Sequence, residues 1–387
     1  MAQNDRYLDF DKYTVASEPH KRERAEAWKV AIGLQAVDGL QVSDYLKQTA
    51  RRHIEGEISI DEVREQVKQY YITKTEHDED DSEKAEADNV SGNIAKLLGS
   101  PSFTFSAAGF MAIHRAIFDG GFKHAGKLRT YDITKNEWVL RGDTVLYGQW
   151  QDLRMALDYD IEQEKQFDYK GLSMTEVVEH LAKFISGIWQ SHPFGEGNTR
   201  ATALFAIKYL KSIGFEVNND MFEQYAWYFR NALVRANYKN VAKGISQDSS
   251  FLVLFFRNLL MGEHNELKNR YLLVNPPKEW AEYDNTLQVP NKYPTSTQQA
   301  QSVLNEINPN IYKLVMQIGE QEMSVKQMME SVGLKDRVNF LNLYLTPSIS
   351  EGFVRLLYPD SPRHPRQKYL LTVKGLALYN EITKKEV

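Results

Sequence analysis

Apolar residues recur at helical spacing through most of this chain. Between 175 and 190, Val177, Leu181, Phe184, Ile185 and Ile188 fall on one face, and Ser173 with Glu176 makes a capping box ahead of them. This predicts a buried amphipathic helix. Ala201 to Ile213 repeats the pattern through Leu204, Phe205, Ile207 and Leu210, with Gly214 as its stop. Residues 191–200 should therefore be a loop between two core helices. Nearer the start, Ala25, Trp28, Ile32 and Leu34 to Val37 open a set of helices over 18–71. Ser43 caps one of them, and Ser59 with Glu62 boxes another before Val63, Val67 and Tyr70. Phe110, Ile113, Ile117 and Phe118 form a further apolar face, and Phe222 to Ala236 and Phe251 to Met261 read as aromatic-rich core helices.

The pattern changes after Arg129. Leu128, Tyr131 and Ile133 lead to a polar turn at Lys135-Asn136, and Trp138, Val139 and Leu140 return, which predicts a β-hairpin. Near the end come a helix over Ile311 to Ile318, a second capped by Ser324 and Gln327, and a turn at Gly333. Strands over Phe353 to Tyr358 and Gln367 to Thr372 follow, flanking a basic turn with Arg363, His364, Arg366 and Lys368. Three helices and a hairpin are similar to a winged helix, a module that serves DNA and protein contacts alike. The fold class is mainly α: a helical core with a hairpin flap, an N-terminal helical segment and a C-terminal winged-helix domain.

Composition narrows the options. The 387 residues suffice for two or three domains, and 47 basic against 52 acidic residues leave a net charge of −5, which excludes a polybasic coat. Without cysteine there is no disulfide frame, thiolate nucleophile or Cys-based metal site. No apolar run approaches the roughly 18 residues of a membrane span, and Met1 to Tyr13 lacks a signal-peptide core. The expectation is a cytoplasmic protein with no membrane partner. The expected divisions are a helical region over 1–75, an acidic linker over 76–90, a catalytic domain over 91–275, a connector over 276–300 and the terminal module over 301–387.

The chemistry concentrates in Ser191-His192-Pro193-Phe194-Gly195-Glu196-Gly197-Asn198-Thr199-Arg200. A helix starting after Gly197 points unpaired N–H groups and a positive dipole end into the loop, which favours an anion. Gly195 and Gly197 admit a phosphate close to backbone, Asn198 offers an amide, and Arg200 a charged fork. Glu196 would repel that anion unless a divalent cation lies between them, so a nucleotide with Mg²⁺ is implied. His192 suits a general base. His114 reads as a structural histidine.

This loop resembles the Fic family signature, His-x-Phe-x-(Asp/Glu)-Gly-Asn-x-Arg-x-x-Arg, through His192, Phe194, Glu196, Gly197, Asn198 and Arg200. The resemblance implies transfer of AMP or another NMP from ATP, or another nucleoside triphosphate, to a Ser, Thr or Tyr hydroxyl of a target protein. It makes His192 the base and Glu196 the Mg²⁺ ligand, with Gly195, Gly197, Asn198, Thr199 and Arg200 at the nucleotide and Phe194 in the core. It also implies a flap in which Asp143, Thr144, Val145, Leu146 and Tyr147 line the mouth and meet the target. Two positions depart from the pattern: Thr199 stands for a commoner glycine, and Ala203 stands where a second arginine grips the γ-phosphate. The N-terminal region looks like the antitoxins of this family, whose inhibitory Glu-Gly falls on Asp38-Gly39, with Leu34 at its Ser/Thr position. Opposite Ala203, Asp38 cannot make the usual pair. Partners implied are the target protein, the nucleotide and a second copy of the chain. The alternative is a degenerate, nucleotide-sensing regulator that binds DNA through 301–387.

Overall fold

A computed structural model describes residues 19–74, 81–217, 220–276 and 307–384. The polar start, the early acids of the expected linker and nearly all of the 276–300 connector lie outside the described residues. The first helices are α1 (Pro19–Gly33), a 3-10 turn (Leu34–Asp38), α2 (Asp44–Glu55) and α3 (Ile60–Thr73). Ser43 caps α2, and Ser59 with Glu62 closes the capping box of α3, which satisfies N–H groups that a helix start otherwise leaves bare.

The acidic run expected as linker is helical from Asp81 onward, within α4 (Asp81–Leu98). Two of its acids, Asp81 and Asp88, are buried and bound. The Asp88 carboxylate accepts from Ser43 N (2.8 Å) and from the hydroxyls of Ser43 (2.5 Å) and Tyr71 (2.8 Å), while Asp81 pairs with Lys74 at 2.6 Å. Paired acids can be buried where lone ones cannot, which is why charge density alone misread the segment.

The middle of the chain builds α5 (Ala107–Ile117), α6 (Leu153–Gln166), α7 (Met174–Ser191), α8 (Asn198–Ser212), α9 (Asp220–Asn237) and α10 (Ser250–Met261). Every residue of α8 from Asn198 to Leu210 is buried. A helix covered all round lies at the centre of its domain, and α5, α7, α4 and the 3-10 turn pack on α8. Ser173 and Glu176 form the predicted box at the head of α7.

The expected hairpin over 128–140 has no β-ladder. The chain is extended there and reverses further on, at Glu137 to Asp143: Glu137 N donates to Asp143 O (2.9 Å) and Gly142 N to Glu137 O (3.0 Å) around a 3-10 turn (Trp138–Leu140). Arg141 and Gly142 at φ 58° and 88° close it, so the left-handed residues, and not Lys135-Asn136, make the turn.

The terminal module comprises α11 (Pro309–Ile318), α12 (Val325–Val332), a helical stretch over 337–350 with a π turn at Leu341–Leu345, and strands β1 (Val354–Leu356) and β2 (Tyr369–Leu371), ending in α14 (Val373–Thr383). We number the 337–350 stretch α13. The strands pair antiparallel, Val354 opposite Leu371, and the module has its own core around Ile311, Leu314, Phe340 and Leu378. Among the described residues no helix is long and apolar enough to cross a membrane.

Candidate active site

The loop between α7 and α8 starts at His192, which ends α7 in the left-handed conformation (φ 47°, ψ 55°). Arg129 fixes that unusual backbone. Its Nε donates to His192 O (2.8 Å), its other nitrogens reach the carbonyls of Tyr131, Gly148 and Ser191, and its own N–H donates to Pro193 O (2.8 Å). The His192 ring is 2% exposed, lying against Tyr147 (4.3 Å between centroids) and edge-on to Trp189 (5.1 Å). Its Nδ1 lies 3.3 Å from Trp189 O, so Nδ1 carries the hydrogen, and Nε2 is buried without a partner among the described residues. Burial first, then the nearby Lys135, holds the ring well below the ordinary histidine pKa and keeps it neutral.

Phe194 anchors the loop, fully buried, stacked on His114 (3.7 Å) and edge-on to Phe110 (5.3 Å). His114 is structural, as its surroundings in sequence imply. Gly126 N donates to its Nδ1 (2.8 Å), so Nε2–H donates to Glu196 O (3.0 Å) and clips the loop to α5. Burial lowers its pKa to about 4. Gly197 turns at φ 70°, where an added Cβ would meet Phe118 Cζ at 2.1 Å; only glycine fits. At Gly195 an added Cβ would lie 2.9 Å from the Tyr131 hydroxyl, with His124 Nε2 at 3.6 Å.

Two residues expected at the phosphates are committed elsewhere. The Asn198 amide closes the loop on itself, accepting from Phe194 N (2.9 Å) and donating to Phe194 O (2.8 Å). The Thr199 hydroxyl accepts from the Trp189 indole (3.0 Å), tying α8 to α7. Their backbone N–H groups remain at a helix start that no side chain caps. Glu196 is exposed.

Arg200 is buried and fully engaged. Its Nη1 donates to Gln35 Oε1 (3.1 Å) and its Nη2 to Glu86 Oε1 (2.9 Å), and its guanidinium lies over Phe118 (4.8 Å). Nε lies 2.8 Å from Asp38 Oδ2 in a direction that makes an ion pair without a hydrogen bond. Asp38 thus does have an arginine partner, the first of the motif. Ala203, one helical turn along, is wholly buried, and an arginine there would have to displace its neighbours.

Of the flap residues, Leu146 is 85% exposed, between buried Val145 and Tyr147. Asp143 is bound by residues that follow α9. It accepts from the Tyr238 hydroxyl (2.7 Å) and Lys243 Nζ (2.9 Å), which hold its pKa far down. Thr144 Oγ1 accepts from Lys135 N (3.1 Å). Tyr147 turns inward to His192 and donates to Glu137 Oε1 (3.0 Å), while Arg230 Nη1 donates to Glu137 Oε2 (2.6 Å). The Glu137 and Arg129 contacts span many residues, and no local pattern marked them in the sequence.

Two stretches of the chain match known families. Residues 104–210 match the Fic/DOC family, and 309–372 match the C-terminal domain of Fic-like proteins (filamentation induced by cAMP). No curated protein matches. Among solved structures, a Fic family protein from Desulfovibrio desulfuricans G20 is 16% identical with a TM-score of 0.39, covering 94% of this chain and 93% of its own. BepC, a VirB-translocated effector of Bartonella tribocorum solved with AMPPNP, is 20% identical with a TM-score of 0.37, over 49% and 89%. The Fic domain of a putative cell filamentation protein from Bartonella quintana is 16% identical with a TM-score of 0.38, over 55% and 91%. The protein thus carries a Fic/DOC domain, followed by a Fic-like C-terminal domain.

Proposed function

We propose that the loop binds a nucleoside triphosphate and that the protein transfers AMP, or another nucleoside monophosphate, to a Ser, Thr or Tyr hydroxyl of a target protein. The observation that carries this reading is the unpartnered, buried Nε2 of a neutral His192. Leaving such a nitrogen unsatisfied costs on the order of 1–3 kcal/mol, and the fold accepts that cost in the loop of its Fic domain. The acceptor hydroxyl gives its proton to Nε2 as its oxygen attacks the α-phosphorus. The bond to the bridging oxygen breaks, and pyrophosphate leaves. The uncapped N–H groups of α8 and the Arg200 guanidinium meet the phosphate charge.

Glu196 fits a role in holding Mg²⁺. Its carboxylate is exposed and pairs with no basic side chain among the described residues, which also hold no group of three metal-ligating side chains. One carboxylate plus phosphate oxygens is an ordinary Mg²⁺ arrangement. The ion would neutralise charge between carboxylate and phosphates.

The site as it stands is closed. Asp38, Gln35 and Glu86 occupy Arg200, and Tyr147 covers His192. Asp38 is then a regulatory group whose carboxylate holds the place of a phosphate, and the N-terminal segment must yield before nucleotide is bound. Labelled ATP, GTP, CTP and UTP, supplied with Mg²⁺ and cell extract, test the transfer. Label should appear on protein with the wild type or Asp38→Ala and vanish with His192→Ala, a loss of about 10²- to 10⁴-fold. Label independent of His192, or none from either chain, defeats the proposal.

A second reading is DNA contact by the terminal module. Arg363 and Arg366 are exposed on the β1–β2 turn with no acidic partner among the described residues. Salt-sensitive binding of one duplex, without transfer, would favour it.

A further inference from the structure

A polyphosphate needs more than one cation, and α8 provides one. At position 203, where the motif would place a second arginine, stands a buried methyl group. Three other cations come near His192, and two are already engaged. Arg129 spends its nitrogens on the carbonyls of Tyr131, Gly148, Ser191 and His192. Arg230 is held by Glu137 at 2.6 Å and lies over the Trp227 ring (5.2 Å).

The third is Lys135. Its backbone N–H is pinned to Thr144 Oγ1 (3.1 Å). Two residues on, fully buried Glu137 is fixed by Tyr147 and Arg230, and the Tyr147 ring lies 4.3 Å from the imidazole. This chain of contacts fixes the backbone of Lys135 on the segment that leads into the turn, two residues before the carboxylate that braces Tyr147 against His192. Lys135 is half-buried, and its ammonium makes no hydrogen bond or ion pair among the described residues. The charges that act on it are Asp38, Arg230, Glu137 and Glu196, and it acts in turn on His192. They come from the 3-10 turn, α9, the flap turn and both ends of the catalytic loop. A cation drawn partly out of water without a counter-ion is unfavourable until an anion arrives.

We propose that Lys135 supplies the second phosphate-binding cation, gripping the terminal phosphates of a nucleoside triphosphate whose α-phosphate faces His192. The proposal rests on the transfer reading and adds the residue that makes the site prefer a triphosphate. Asp38, paired with Arg200 and within the field of Lys135, is then displaced by a ligand that satisfies both cations at once.

Calorimetric binding of ATP, ADP and AMP with Mg²⁺ tests this in the full chain, with each variant made in both the wild-type and the Asp38→Ala protein. Lys135→Met keeps the apolar stem and removes the charge. We expect it to weaken ATP binding roughly tenfold, the worth of one charge-assisted hydrogen bond, and to leave AMP within about twofold. Lys135→Arg should retain ATP affinity, and thermal melting verifies that each variant is folded. Unchanged ATP binding in Lys135→Met, or equal loss of ATP and AMP, overturns the role of Lys135 while leaving transfer standing if label still reaches protein. Absence of nucleotide binding in both backgrounds overturns transfer and Lys135 together.

Discussion

The two ends of α8 are held by opposite means. At its start, Arg200 is gripped by side chains from the first hundred residues, Asp38, Gln35 and Glu86, and the two carboxylates are 34% and 30% exposed. Past its end, Gly214 at φ 98° meets the terminal module backbone to backbone. An added Cβ there would fall 2.2 Å from Gly352 O and 2.5 Å from Thr372 Oγ1, and one at Gly352 would fall 2.1 Å from Gly214 O. Lys374 N donates to Ile213 O (3.4 Å) and Asn380 Nδ2 to Leu172 O (3.1 Å) across the same seam. Charges at half-wet positions can be exchanged for the charges of a ligand at small cost. A seam of bare backbone has nothing to exchange. The central helix is thus anchored at the end away from the His192 loop and latched at the end that adjoins it.

Acid should loosen the loop at the latched end. His114 and His192 both bound the loop, and both have pKa values lowered by burial, His114 to about 4. The folded protein binds fewer protons than the unfolded chain below pH 6.5, so stability is complete above that value and falls as pH drops towards the folded pKa. His114 contributes about 2 kcal/mol between pH 6.5 and 5, His192 adds a loss in the same direction, and His53 on α2, likewise lowered to about 4 by burial, adds its own. Asp88, raised by burial, opposes part of this. Melting temperatures that stay flat or rise across that range would contradict the assignment of two buried neutral rings.

Next in size is Gly214→Ala, which strains the backbone and drives a methyl into Gly352 O. It should cost about 3 kcal/mol in denaturant unfolding. A cost below about 0.5 kcal/mol would show that the seam yields and that the contrast between the two ends is false. Smallest is Asp38→Ala, expected to change stability by less than about 1 kcal/mol, since its pair is partly exposed. A loss near that of Gly214→Ala would make Asp38 a structural post and not a latch.

Much of this was legible in the sequence, because local signals govern it. The capping boxes at Ser59, Ser173 and Ser324 sit where Ser and Glu or Gln lie three apart, and Phe194 is the core anchor that the motif implied. What stayed hidden joins residues far apart. Nothing local shows that Asp38 meets Arg200, that Glu86 belongs to the same clamp, or that Asn198 and Thr199 bond to Phe194 and Trp189. Likewise Asp88 reads as solvated until Ser43 and Tyr71 are brought to it, and the flap reads as a hairpin because β-branched and aromatic residues alternate there even when no ladder forms. Lys135 passed for a turn residue until Glu137 proved to be the buried one.

The central claim is that Asp38 and a nucleotide phosphate compete for Arg200. Calorimetric titration of Mg²⁺ and ATP into the wild type and Asp38→Ala tests it most directly. The account predicts that Asp38→Ala binds ATP about tenfold more tightly, as a competing charged contact is removed. Equal or weaker binding by Asp38→Ala would contradict it.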